Sequence, residues 1–303
     1  MQRKLTNTQR KKFLLQAFLF MLALSLSSTA SAQIVRDFSS RFSRSTPGDI
    51  VLTGNSVLTC PAGSAGCSDV QIGVTSTGDA ANNNSHDMVY VDTDNDATTF
   101  NSSTALVNLP QNARVLWAGL YWGGRTRTGS NGTGAAAPDS SLKNTVRLRS
   151  PLTNGYITVT ASTCDDATGV GNDALTGQVY QCLSEVTNQV PSTGNGSYTV
   201  ANVQTGTGQN RFGGWGLVIV YEDPSQPLRN LVVYDGFGLV LDQNMSGSVN
   251  INLSGFRSPA SGNVITRVGA IAYEGDQGAG GDSFRLNGVA ISDTANEQDN
   301  FFN

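Results

Sequence analysis

Apolar residues recur along this chain in short runs, and within each run the spacing is that of extended backbone. Val249-Asn250-Ile251-Asn252-Leu253 alternates strictly, as a strand with one buried face does. Residues 156–160, 198–203, 217–221 and 231–234 are rich in Val, Ile, Tyr and Thr, and residues 266–273 close the series. Val115-Leu116-Trp117-Ala118-Gly119-Leu120-Tyr121-Trp122 predicts a further strand, with Trp117 and Tyr121 on one face and Trp122 on the other. Asn195-Gly196, Asp223-Pro224 and Asn287-Gly288 supply turns between runs. Only residues 184–190 read as helix, for a turn or two. The expected fold is all-β, an antiparallel two-sheet sandwich of jelly-roll type with little helix.

The amino terminus follows another pattern. Arg3, Lys4, Arg10, Lys11 and Lys12 precede an apolar run from Phe13 to Leu26, and a small-residue stretch ends in Ala30-Ser31-Ala32. That order is a secretory signal peptide, with cleavage expected after Ala32. The apolar run is shorter than the roughly 20 residues a membrane helix needs. The expected plan is a signal peptide at 1–32, an extended leader at 33–48 and a β-sandwich surface domain at 49–303, with a long loop at 129–138. No membrane-spanning segment is expected in the mature chain, and its location is the cell surface or extracellular space, reached through the periplasm.

Cleavage changes the charge. Five of the 19 basic residues leave and none of the 23 acidic ones do, so the remainder is 14 against 23, a net −9, with Lys143 the only lysine. Nucleic acid is excluded as a partner, because phosphate backbones are bound through basic patches. Four cysteines in an exported chain predict disulfides. Cys60 and Cys67 stand seven apart and Cys164 and Cys182 eighteen apart, so local pairing is the simplest of three connectivities. Closing the longer loop would stabilise by about 3 kcal/mol in the chain-entropy model.

Candidate chemistry is sparse. The only histidine is His86, and no Gly-x-Ser-x-Gly elbow or phosphate-cradling loop is present, so the chain reads as a non-enzyme. Asp92, Asp94 and Asp96 form an Asp-x-Asp-x-Asp run whose carboxylates suit calcium, the one cofactor the sequence suggests. An EF-hand would require glycine and glutamate where Ala97 and Ser103 stand. The competing reading is an acidic turn whose Asp side chains cap the backbone. Glu274, Asp276 and Asp282 are a weaker metal set. Trp122 is the candidate for stacking on a sugar, against the plainer reading of an aromatic in the core.

A resemblance gathers around several motifs. Gly54-Asn55-Ser56-Val57-Leu58-Thr59-Cys60, Met88-Val89-Tyr90-Val91-Asp92 and Ala118-Gly119-Leu120-Tyr121-Trp122-Gly123-Gly124 carry it. So do Tyr234-Asp235-Gly236-Phe237, Ala272-Tyr273-Glu274-Gly275-Asp276 and Asn300-Phe301-Phe302-Asn303. From about residue 49 onward the chain resembles the amino-terminal region of large bacterial adhesin-like surface proteins, in which tandem immunoglobulin-like repeats follow. The resemblance implies a surface location and an adhesive or structural role. The expectation is thus a non-catalytic exported module for adhesion or matrix assembly, whose partner is an unidentified surface ligand, glycan or protein. A carbohydrate-binding module is the alternative, and a secreted hydrolase using carboxylates without a sequence signature is the second alternative.

Overall fold

Strand follows strand from the first described residue. The computed structural model describes residues 32–71, 82–167, 179–240, 247–277 and 280–302, so nearly all of the expected signal peptide lies outside them. The chain forms β1 (Ala32–Ser56), β2 (Leu58–Thr59), β3 (Val89–Tyr90), β4 (Ser102–Val107), β5 (Arg114–Arg125), β6 (Thr145–Arg149) and β7 (Ile157–Thr160). There follow β8 (Thr163–Asp166), β9 (Val179–Glu185), β10 (Gly196–Ala201), β11 (Gly213–Glu222), β12 (Leu228–Val240), β13 (Arg285–Leu286) and β14 (Val289–Ala290). The largest sheet has the order β12-β1-β11-β5-β9-β8 and the next β4-β10-β6-β7, while β2 with β3 and β13 with β14 form two-stranded pieces. Every strand pair is antiparallel, so the fold is the all-β sandwich that the alternation predicts. The helical expectation at 184–190 reduces to one 3₁₀ turn, Thr187–Gln189.

The main core lies between the two sheets. Ala118, Leu120 and Trp122 of β5, Tyr180 and Cys182 of β9, and Trp215, Leu217 and Ile219 of β11 meet Val146, Leu148, Tyr198 and Val200 of the smaller sheet. The opposite face of the large sheet is also buried. There Trp117, Tyr121, Leu183, Val218 and Val220 pack against Leu231 and Val233 of β12 and Phe42 and Ile50 of β1. Strand β5 therefore follows the predicted facing of its aromatics, and both faces become core.

Two features explain how a sheet can cover its own outer face. Strand β1 serves two partners: residues 48–56 pair with β11, whereas residues 32–47 pair with β12. Three register shifts between Ile34 and Phe42 bend that first half, as bulges increase local twist and curvature. The β1–β12 ribbon thus curls over β11, β5 and β9 into a half-barrel, and residues 33–48 are a paired strand within it. The second feature is glycine on β5. A Cβ at Gly119 would stand 2.2 Å from the Trp117 ring, and one at Gly123 would stand 3.1 Å from the ring of Tyr273. Both aromatics lie flat on the outer face because those positions carry no side chain.

Turn chemistry follows the sequence. Asn287 and Gly288 both take positive φ, 51° and 81°, in the two-residue connection of β13 to β14, the backbone that Asn-Gly favours. Between β11 and β12 the Asp223 carboxylate accepts from the Ser225 N–H at 2.9 Å and hydroxyl at 2.8 Å.

Two predicted strands are not strands. Residues 249–253 and 266–273 make no ladder, although the second run packs on the sheet, with Ile271 over Gly216 and Tyr273 over Gly123. Alternation announces that one side of a segment prefers apolar company; it does not supply the neighbouring backbone that a ladder requires.

Candidate functional site

The predicted calcium loop spends its carboxylates on itself. Asp94 Oδ1 accepts from the Asp96 N–H at 2.9 Å and the Thr99 hydroxyl at 3.1 Å, while Oδ2 accepts from the Tyr156 hydroxyl. Asp96 Oδ1 takes the N–H and hydroxyl of Thr98, at 2.9 and 2.8 Å, and Asp92 Oδ1 takes the Ser102 hydroxyl at 3.0 Å. Partial burial pulls the Asp94 carboxyl up, but the bonds from Tyr156, Asp96 and Thr99 outweigh it and hold it below the usual carboxylate range. Asn95 completes the turn with φ 53°. The aspartates thus cap their own turn, the geometry that the competing reading expects.

The weaker acidic set is spread over separate tasks. Asp276 accepts the Asn83 N–H at 2.8 Å, and the Asn83 amide reaches Glu274 at 3.4 Å. Asp282 instead accepts the N–H groups of Phe301 and Phe302, each at 2.8 Å, and ties down the aromatic cluster of Phe284, Phe301 and Phe302. Among the described residues no three His, Cys, Asp or Glu side chains are grouped so as to hold a metal ion.

Trp122 has no exposed surface, and its indole N–H donates to the Lys143 carbonyl at 2.9 Å. An indole enclosed on all sides offers no ring face to a sugar, which corrects its assignment as a stacking residue. Trp117 and Trp215 are buried too, the latter donating to Ser103 at 2.9 Å. Lys143 pairs with Asp166, and both side chains are about one-third exposed.

His86 is buried against the loop that carries the first disulfide. Ser64 Oγ lies 3.1 Å from His86 Nδ1 but also donates to the Pro61 carbonyl at 2.8 Å.

Both disulfides form with the local pairing, Cys60–Cys67 and Cys164–Cys182. Cys164 and Cys182 face each other directly across β8 and β9. Next to that bond the half-barrel is latched. Arg36 grips Asp165 of β8 at 2.7 and 2.9 Å and Asp235 of β12 at 2.8 Å, and Arg41 reaches Asp235 at 2.8 Å and Thr163 at 2.9 Å. Hydrogen bonding to Asp165, with the charges of both carboxylates, raises the Arg36 guanidinium against the opposing cost of burial. The Gln181 amide adds a bond to the Gly236 carbonyl at 3.0 Å. Sequence reasoning missed this latch because its members stand 129 and 199 residues apart.

A second missed feature is buried positive charge. Arg211 donates to the Gln209 carbonyl at 3.2 Å and the Ser130 hydroxyl at 3.3 Å. Burial, with Arg125 and Arg127 nearby, pushes its pKa down to about 10.

The last feature is a surface. Ile251, Leu253, Phe256, Val264, Ile265 and Val268 are all exposed on a segment without secondary structure, Ile265 to 91 %. The segment at 247–257 runs antiparallel to β12 across the face that carries Asn230, Tyr234 and Gly238: Val249 lies by Gly238, the Ser254 carbonyl accepts the Tyr234 hydroxyl at 2.7 Å, and the Arg257 N–H donates to the Asn230 side chain at 2.6 Å. Its contacts with the sheet are made by side chains and not by a backbone ladder.

Residues 68–299 match a family described as "Protein of unknown function (DUF3344)". No curated protein and no solved structure matches the chain. Among the described residues no helix is long and apolar enough to cross a membrane.

Proposed function

The chain belongs to the DUF3344 family, and from that premise we propose that it is a non-catalytic exported module with an adhesive or structural role at the cell surface or outside the cell. The exposed apolar segment at 251–268 carries this reading. Six large apolar side chains are exposed along this one stretch, and exposed apolar surface grouped in this way commonly marks contact sites. The candidate catalytic and ligand groups, by contrast, are engaged in holding the fold: the Asp92–Asp96 carboxylates in a turn, Trp122 in the core, Ser64 on a carbonyl. Two disulfides fit an oxidising compartment, as does the secretory pattern of the first 32 residues.

Fractionation of cells expressing the chain with its own leader tests the reading. The protein should be found outside the cytoplasm, beginning at Gln33, with four oxidised cysteines and no turnover in a broad glycosidase and esterase panel. A reduced chain retained in the cytoplasm would overturn export. Turnover abolished by Ser64→Ala would replace the structural role with a hydrolase.

A further inference from the structure

We infer that the interior of the half-barrel binds one ordered water, held by the hydroxyls of Tyr121 and Tyr273 and by Asp235 Oδ1. The first observation is an accounting of polar atoms. Tyr121 and Asp235 are 5 % and 1 % exposed. Their Oη and Oδ1 atoms, with Oη of Tyr273, are buried and have no hydrogen-bond partner among the described residues. Buried polar groups in folded proteins are paired, and water serves where no protein group reaches.

The second observation is that the three atoms share one place. Across the large sheet Tyr121 is in line with Leu183 and Thr163, and Gly123, two residues on and on the same face, is in line with Gln181 and Asp165. Tyr273 lies over Gly123, its hydroxyl-bearing ring carbon 3.1 Å from where a Cβ would stand. Strand β12 closes over the same two rows. The Gln181 amide reaches the Gly236 carbonyl at 3.0 Å, Arg36 joins Asp165 to Asp235, and Arg41 joins Thr163 to Asp235. Both arginines bind Oδ2 of Asp235, which leaves Oδ1 for another donor. Burial raises both phenols most, and the Asp235 charge adds to it in each.

The third observation selects the guest. Arg36 and Arg41 balance Asp165 and Asp235, so the site carries no net charge that would draw an ion. A water accepts from two phenol hydroxyls and donates to one carboxylate oxygen, which makes the three bonds usual for a buried water. Bound there, it ties the ladderless run at 266–273, through Tyr273, to β5 and to the latch on β12.

The sign of a conservative substitution tests this. Deleting a buried hydroxyl that has no partner leaves stability unchanged or raises it, whereas deleting one that is bonded to a held water loses a bond. Tyr121→Phe and Tyr273→Phe should each lower the folded-to-unfolded ratio about fivefold in denaturant melts of the disulfide-intact chain. The double variant should lose less than the product of the two, because both bonds are to one water. Oxygen-17 relaxation dispersion, which counts long-lived internal waters, should count one fewer in the double variant. Tyr198→Phe serves as the control: its hydroxyl donates directly to the Gly194 carbonyl at 2.7 Å, so it should lose stability and keep the full count. Unchanged or raised stability in both single variants overturns the inference. So does a water count that the double variant leaves intact or that Tyr198→Phe lowers equally.

Discussion

Strand β11 and the segment at 249–253 are both built from apolar residues in extended backbone, and they meet opposite fates. The segment alternates more cleanly, yet its side chains stand in solvent and its backbone lacks a ladder. Strand β11 reads Gly-Gly-Trp-Gly-Leu-Val-Ile-Val-Tyr-Glu, with hardly any alternation, and is buried on both faces between β1 and β5. The difference is one of surroundings. β11 has a paired neighbour on each side, one core beneath it and a second core above. The segment at 249–253 meets one face of β12 through side chains, and Ile251 and Leu253 stay 41 % accessible. Binary pattern thus fixes the tendency to extend, and the number of available neighbours decides whether extension becomes sheet.

Alkali should break the paired region most completely. All eight tyrosines have phenols pushed up, chiefly by burial, Tyr90 to about 12 and Tyr121, Tyr156, Tyr180, Tyr198 and Tyr273 further. A folded pKa above the unfolded value stabilises fully below about pH 10 and loses that contribution as pH rises through the folded pKa. Phenolate absorbance at 295 nm should therefore lag behind free tyrosine and then rise together with loss of β-sheet circular dichroism. Ionisation near pH 10 without unfolding would contradict the burial.

Single substitutions then separate the two regions. Trp122→Ala should cost about 3–5 kcal/mol in denaturant melts, as large core truncations do, whereas Ile265→Ala in the exposed segment should stay within about 0.5 kcal/mol. Asp235→Ala removes a fully buried carboxylate shared by Arg36 and Arg41. Losing one partner of a buried pair costs about 3–5 kcal/mol, and the lower end is expected because both arginines can still reach water. Its effect should not add to that of Arg36→Ala, which a double-mutant cycle measures. Tyr156→Phe deletes one hydrogen bond to Asp94 and should cost about 0.5–1.5 kcal/mol. The smallest effect is expected from calcium: with the Asp94 and Asp96 carboxylates already accepting internal donors, millimolar calcium should leave the melting temperature unmoved.

Much of the sandwich was legible because its signals are local. The Trp117, Tyr121 and Trp122 facing follows from a period of two, Asn287-Gly288 from the positive φ that glycine and asparagine tolerate, and the two disulfides from pairing of near neighbours. The acidic loop was legible as a turn as well as a calcium site. What the spacing of aspartates does not contain is the approach of Tyr156 and Thr99 to Asp94. Trp122 was misassigned for a related reason: an aromatic in a strand has the same sequence whether its face meets solvent or a second sheet.

By itself, then, the sequence determined extension, turn positions, cysteine pairing and the secretory pattern at its start, since each depends on residues close together in the chain. The tertiary structure alone decided that β1 would be shared between β11 and β12, that the sheet would curl until Arg36 met Asp165 and Asp235, and that residues 249–253 would remain unpaired. Those outcomes depend on which backbone lies beside which, and strand pairing across one or two hundred residues is set by register, bulges and competition for edges. Local composition encodes none of these directly.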